Sequence, residues 1–466
     1  MIPFFPKQIA NKGIIIYLIS LAAVSIIFFK HAMGIEYILL GLMWVIGFFS
    51  LASTATKKWA SLPTKQFCTT VFWVALAIRI AWVVFSYFFY ISKTGQPFEF
   101  GAADAIGYHE EAKWLASEGW GKAFQYWGSR SGVSDNGYSF WLMLVYSTFG
   151  PSIIVTRLIK AIFSSITCII IYKLAKRNIG EYPGRMASIF FLFMPNLIYY
   201  CGLHVKEIEM IFLICLFLER ADNLFRNKQT NIINVGCILL LAGSLFFFRT
   251  VLGSVAILSV ITALIFSPET IIRKGRKVWI SFWIILSIIF LAGGTISTEI
   301  EGYWTARNTN TAATRSEQTG RGNQWAKYAT GAVMSPMAFV LPFSTMIHIE
   351  GQEDQMVLSG GNYIRNFLGI FFVMALFYSI FIKKEWRRFS LIGSYVIGYL
   401  LVVANSGFSN SERFLLPALP VLLIMASYGI SVLDKKNYKY VNYWAVVVVI
   451  MEVGWAYFKL GSRGII

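Results

Sequence analysis

The sequence predicts an all-α polytopic integral membrane protein, and two observations carry that expectation. Hydrophobic residues make up 57% of the 466 positions and charged residues only 14%, with a mean hydropathy of +0.61. A soluble chain of this size needs far more polar surface to cover its core. The apolar residues are also gathered into runs of roughly 20, the length a helix needs to cross hydrocarbon. Such runs are Gly13–Phe29, Ile35–Ala52, Phe67–Ile91, Ile153–Tyr172, Val278–Ile296, Ile364–Ile382 and Val441–Phe458. Short alternating segments of a membrane barrel are not found in the sequence.

Charge is distributed as the positive-inside bias distributes it. The formal net charge is +18, but the cations sit in short clusters between apolar runs: Lys57/Lys58, Lys173/Lys176/Arg177, Arg273/Lys274/Arg276/Lys277, Lys383/Lys384/Arg387/Arg388 and Lys435/Lys436/Lys439. No basic face interleaved with aromatics is present to hold a nucleic-acid backbone, so nucleic acid is not an expected partner. The cysteines (Cys68, Cys168, Cys201, Cys215, Cys237) lack metal-ligand spacing and read as small buried hydrophobes. The first apolar stretch lacks a small-residue cleavage site and is expected to stay as an anchor.

With the N-terminus inside, as Lys7 and Lys12 suggest, three spans bring the chain out at Ser92. Two outer loops follow from this, 92–136 and 298–362, within one membrane domain covering 1–466. Tyr138–Phe149 is apolar but short. If it stays shallow or re-entrant, every later basic cluster falls inside; about 13 spans are then expected.

Three polar stretches stand out as candidate chemistry. In Phe100–Trp120, the residues Asp104, Tyr108 and Glu111 share one face of a helix. Asp104 is either an N-cap or a carboxylate facing a cavity as general base. His109 and Glu110 stand beside it to orient or replace it. Tyr108 and Glu111 are candidate substrate contacts.

The turn Tyr200–Glu209 holds His204, Lys206 and Glu207 where a helix re-enters the bilayer. Charge there is costly, and is either functional or tied up in a Lys206–Glu207 bridge or by snorkelling. The third stretch holds Glu412 and Arg413. An arginine at the outer end of a span suits a phosphate, and stop-transfer anchoring is the plainer reading.

Arg249 interrupts an apolar run and needs a partner; Arg79 does too, and a buried acid is the expected one. Arg315 and Arg321 in the second outer loop are candidates for an anionic ligand, against ordinary solvated loop charge. No Walker-type loop, HExxH or GxSxG motif occurs. A divalent cation shared by Asp104 and Glu207 is the single cofactor candidate, and it requires the two to converge.

Asp104 followed by the helical Tyr108-His109, then Phe149-Gly150 and Arg157-Leu158, resembles the polyprenyl-phosphate-dependent glycosyltransferases of the GT-C superfamily. Lys176–Arg185, Pro195, Glu207 and the stretch ERFLLPALP from Glu412 are similar to that family's basic turn, proline-ended span, second acidic site and late Glu-Arg segment. The likeness extends loosely from Ser92 to Leu433, and the chain loosely resembles the protein mannosyltransferase and aminoarabinose transferase families.

The resemblance implies a GT-C-like bundle with loop helices and an active site on the extracytoplasmic face of a bacterial inner membrane. It implies a polyprenyl-phosphate-linked sugar donor and a glycolipid or polysaccharide acceptor. Asp104 is then the base and Glu207 a second acid, with Arg413, Lys206 and Arg249 on the lipid phosphate. The competing expectations are a polysaccharide polymerase or ligase centred on the loop arginines, and a transporter or flippase for a lipid-linked saccharide.

Overall fold

The computed structural model describes residues 2–129, 134–226, 232–268, 271–272, 275, 277–282, 337, 339–405, 411–434 and 437–461. Arg315, Arg321 and most of the run Val278–Ile296 lie outside them. Among the described residues there is no β-strand, only one isolated bridge between Ala32 and Ile347. Among the described residues eight helices are long and apolar enough to cross a membrane, and the chain is a membrane-embedded helical protein.

The first part of the chain runs α1 (Lys7–Ile27), α2 (Ile35–Lys58), α3 (Thr64–Thr94), α4 (Ala103–Glu118), α5 (Trp120–Ser129), α6 (Asn136–Phe149), α7 (Ile153–Ile179), α8 (Glu181–Phe193), α9 (Pro195–Tyr199), α10 (Glu207–Arg226), α11 (Ile232–Phe248) and α12 (Thr250–Phe266). Further along the chain come α13 (Glu353–Val357), α14 (Ser359–Phe377), α15 (Ser390–Asn405), α16 (Glu412–Leu415), α17 (Leu419–Ser431) and α18 (Tyr438–Gly461).

The centre of the bundle is α17 with α8 and α14 against it. In lipid there is little hydrophobic gain from pressing two apolar helices together, so association rests on close packing and hydrogen bonds. Gly429 of α17 supplies the close packing. A Cβ there would run into the Phe371 carbonyl of α14, so a larger residue would push the two helices apart.

Arg79, buried in the middle of α3, finds carbonyls where an acid was expected. Its guanidinium donates to Phe191 O at 3.3 Å and Leu192 O at 3.2 Å, and its Nε to Ser164 Oγ at 2.7 Å. The cause is Pro195. A helix continuing through that position would bond residue 195 N–H to the Phe191 carbonyl, and proline has no N–H to give. Arg79 satisfies the carbonyls that the α8–α9 break leaves open.

The two ends of the bundle differ in charge. At one end the α2–α3, α7–α8 and α14–α15 turns meet. Arg185 donates to the Trp59 and Leu62 carbonyls at 2.8 Å, and Arg388 to the Arg177 carbonyl at 3.5 Å. The N-terminal strand of chain joins them, with Phe5 N donating to Thr56 Oγ1 at 3.0 Å. Lys57, Lys58, Lys176, Arg177 and Arg388 are therefore gathered on a single face of the protein.

The segment Tyr138–Phe149 lies within α6, and both ends of that helix stay at the opposite, polar end. Gly137 abuts Phe247 and Phe248 at the close of α11, and Tyr146 contacts His109 of the loop helix α4.

Candidate functional site

Three segments far apart in sequence meet at the polar end. Asp104 stands in the first turn of α4, Glu207 in the first turn of α10, and Arg413 in α16. The Arg413 guanidinium donates through Nε to Glu207 and through Nη1 to Asp104. Asp104 is therefore not the N-cap. Ala102 holds the cap position, with no side-chain cap bond, and the carboxylate is turned to a cation instead.

The two carboxylates differ sharply in access. The Asp104 side chain is 61% exposed and that of Glu207 is fully buried. A buried carboxylate against a guanidinium is a fixed partner, since breaking it strands a charge in low dielectric. The exposed one is held far more weakly and can exchange. The open first-turn N–H groups of α10 add a favourable field at Glu207.

Lys206 and Glu207 do not bridge each other, contrary to one expectation. Lys206 is paired with Asp135 at the start of α6, and its ammonium lies 5.7 Å from the Tyr108 ring centre. Burial, with Arg249 and Arg413 nearby, lowers the Lys206 pKa to about 7, while Glu207 works against the shift. Arg249 finds its partner in the Phe414 ring, 4.4 Å from the guanidinium carbon, and its Nη1 is buried without a hydrogen bond. Lys206, Arg249 and Arg413 thus form a cationic arc around the two acids.

No protein-family model matches this chain, and no curated protein matches it.

The remaining candidates separate into neighbours and outliers. Tyr108 packs edge-on to Tyr138 at 5.0 Å, and burial pushes its hydroxyl pKa up to about 12, so it stays a neutral donor. Glu111 accepts from Ser139 Oγ at 2.9 Å and ties α4 to α6. His109 and His204 lie on either side of the Tyr146 hydroxyl.

Glu412, next to Arg413 in sequence, turns into the protein. It accepts from Asn196 and, at 3.2 Å, from Asn362. It anchors the turn that presents Arg413 and is too buried to meet a substrate. Arg315 and Arg321 fall outside the described residues.

Several further residues at this end stand out only in the structure. Asp135 reads in the sequence as an ordinary loop acid. Lys160 lies in the apolar run of α7, fully buried, with Nζ donating to the Leu203 carbonyl at 2.8 Å and to the Val205 carbonyl, and 3.7 Å from Glu209. It braces the turn before Glu207. A charge inside an apolar run was the available sign of it. Asp354 of α13 accepts from Tyr199 at 2.8 Å and from Gly101 N at 3.1 Å, pinning α13 to the chain just before α4.

Asp104 and Glu207 do converge, but on a guanidinium. A divalent cation wants six or more oxygens, whereas here two carboxylates are already neutralised by Arg413 between them. That donor set does not suit a cation. Among the described residues no group of three or more His, Cys, Asp or Glu side chains is arranged to hold a metal.

Proposed function

We propose that the protein is a polyprenyl-phosphate-dependent glycosyltransferase of the GT-C type, with about 13 spans and its site on the extracytoplasmic face of a bacterial inner membrane. The observation that carries the reading is the meeting of Asp104, Glu207 and Arg413 at one end of a membrane bundle. The gathering of basic turns at the other end supports the orientation. Nucleotide sugars are absent outside the cytoplasmic membrane, so the donor is a lipid-phosphate sugar.

In this reading the donor phosphate binds the cationic arc of Arg413, Lys206 and Arg249. Its oxygens compete with Asp104 for Arg413, and Asp104, the exposed and weakly held partner, is the one released. Glu207 stays and keeps the guanidinium oriented. The freed Asp104 carboxylate takes the proton of an acceptor hydroxyl on a glycolipid or polysaccharide. That oxygen attacks the anomeric carbon, the bond from this carbon to the phosphate oxygen breaks, and polyprenyl phosphate leaves with its charge held by the arc.

The test is transfer of radiolabelled sugar from polyprenyl-phosphate donors to extracted glycolipid acceptors. Asp104→Asn, at equal yield and fold, is expected to lower turnover about 10²- to 10⁴-fold. Full activity in that variant removes Asp104 from the chemistry and moves the weight to a polymerase built on the loop arginines. No turnover by the wild type, with labelled lipid flipped across vesicles, makes the protein a transporter.

A further inference from the structure

Beside the Arg413 centre stands a hydrogen-bonded column that the chemistry above does not use. The Tyr146 hydroxyl is 2.7 Å from His109 Nδ1 and 3.1 Å from His204 Nε2. The three rings come from α6, from the loop helix α4 and from the turn that leads into α10. The two imidazoles also meet edge to face, at 5.7 Å, and Phe98 packs against both.

The direction of the column follows from its buried end. His204 is fully buried and its Nδ1 has no partner. A stranded lone pair is tolerated better than a stranded N–H, so the His204 proton sits on Nε2 and is donated to the Tyr146 oxygen. The single Tyr146 hydrogen is then free for His109 Nδ1. Burial lowers the His109 pKa below its ordinary value, so at neutral pH the ring presents that lone pair. Its Nε2 faces Glu110 at 4.0 Å, near solvent.

Each end of the column lies close in sequence to one acid of the site. His109 follows Asp104 by five residues on the same helix, and His204 precedes Glu207 by three. A shift of His109 is therefore carried within about one and a half helical turns to Asp104, and a shift of His204 through the short turn that leads into α10 to Glu207. Ser139–Glu111 and Tyr108–Tyr138 hold α4 to α6; the Tyr146 hydroxyl bonds to α4 and to the turn at the same time.

We infer that Tyr146 is a positioning residue: its hydroxyl, shared by His109 and His204, sets the register of α4 against the 203–207 turn and so the placement of Asp104 relative to Glu207 around Arg413. The catalytic consequence rests on the transferase reading; the positioning itself does not.

Tyr146→Phe removes only the hydroxyl and keeps the ring. In it, kcat is expected to fall about 10- to 100-fold through misplacement of the base. KM for the polyprenyl-phosphate sugar should stay within about twofold, since the cationic arc is untouched. With Tyr146 in place, His109→Gln, whose amide oxygen can still accept from Tyr146, should keep most of the wild-type rate, and His109→Leu should not.

Amide exchange over residues 104–112 should rise at least about tenfold in Tyr146→Phe and His109→Leu but not in His109→Gln. Wild-type kcat and wild-type exchange in Tyr146→Phe overturn the inference. So does a loss confined to KM. If the wild type transfers no sugar, the transferase reading fails and the exchange experiment alone decides: protection kept in Tyr146→Phe rejects the positioning role, and protection lost in Tyr146→Phe but kept in His109→Gln upholds it.

Discussion

At the basic end of the bundle, Arg177 of α7 donates Nε to Asp222 at 2.6 Å, Nη1 to Glu219 at 2.9 Å and Nη2 to the Glu219 carbonyl at 2.9 Å. Arg226 then shares Asp222 at 2.9 Å and reaches Asn178 at 3.0 Å. All of these side chains come from two helices, α7 and α10, that lie along each other. At the polar end, Arg413 draws its acids from segments 309 and 206 residues away. One of those acids is exposed, and Glu207 Oε2 and Arg249 Nη1 are buried with no hydrogen-bond partner. The first network closes on itself and holds two helices together. The second leaves polar atoms open in a place where open polar atoms are expensive, which is the pattern expected of a group that binds something.

Arg413→Lys is the sharpest way to break that contrast. Lysine keeps the charge but loses the fork that reaches Asp104 and Glu207 together. Turnover is expected to fall about 10²- to 10³-fold, the cost of removing one preorganised electrostatic donor, with little change in thermal unfolding in detergent. A lysine variant that turns over like the wild type would show that the two-armed contact is structural, and the ends would then be alike.

The converse experiment is Arg177→Ala. Breaking a buried ion pair strands its partners at a cost of several kcal/mol, and the quarter exposure of Arg177 discounts that to ~2 kcal/mol. The loss should appear as a lower unfolding midpoint with kcat preserved in the protein that stays folded. Lost turnover at unchanged stability would mean that the basic end takes part in function.

How much of this was legible in the sequence follows from the range over which each rule acts. The helical membrane architecture rests on composition and run length, which are local, and the long apolar helices follow them closely. The residues Asp104, Glu207 and Arg413 were visible singly, because each is a charge at the edge of an apolar run. Their meeting was not, since it depends on which helices pack together. The N-cap reading of Asp104 failed for that reason: a local rule lost to a cation 309 residues away.

Glu412 and Arg413 look equivalent as neighbours in sequence, yet the turn of α16 sends one to Asn196 and Asn362 and the other to the site. Tyr146 was hidden because a tyrosine in an apolar run reads as an interfacial anchor. Arg79, a charge inside an apolar run, announces that it needs partners, but the carbonyls it meets are open only because Pro195 breaks the facing helix.

The smallest expected effect concerns Lys206, and it tests whether the cationic arc acts as one. The two arginines stay charged across any physiological range. Lys206 does not, since burial and its cationic neighbours bring its pKa to about 7 against the pull of Glu207, Asp104 and its partner Asp135. Below that value it is an ammonium and contributes to holding a lipid phosphate; above it the amine is neutral and the contribution is lost. Affinity for the polyprenyl-phosphate donor should therefore fall as pH rises from 6 to 8, by about three- to tenfold for the loss of one charge contact. By linkage, a bound phosphate stabilises the ammonium and moves the fall to higher pH at saturating donor. Lys206→Gln should bind weakly and with little pH dependence, whereas Lys206→Arg should bind tightly at both extremes. A pH slope that survives in Lys206→Gln assigns the titration to another group, and the polar end would then bind its anion through Arg249 and Arg413 alone.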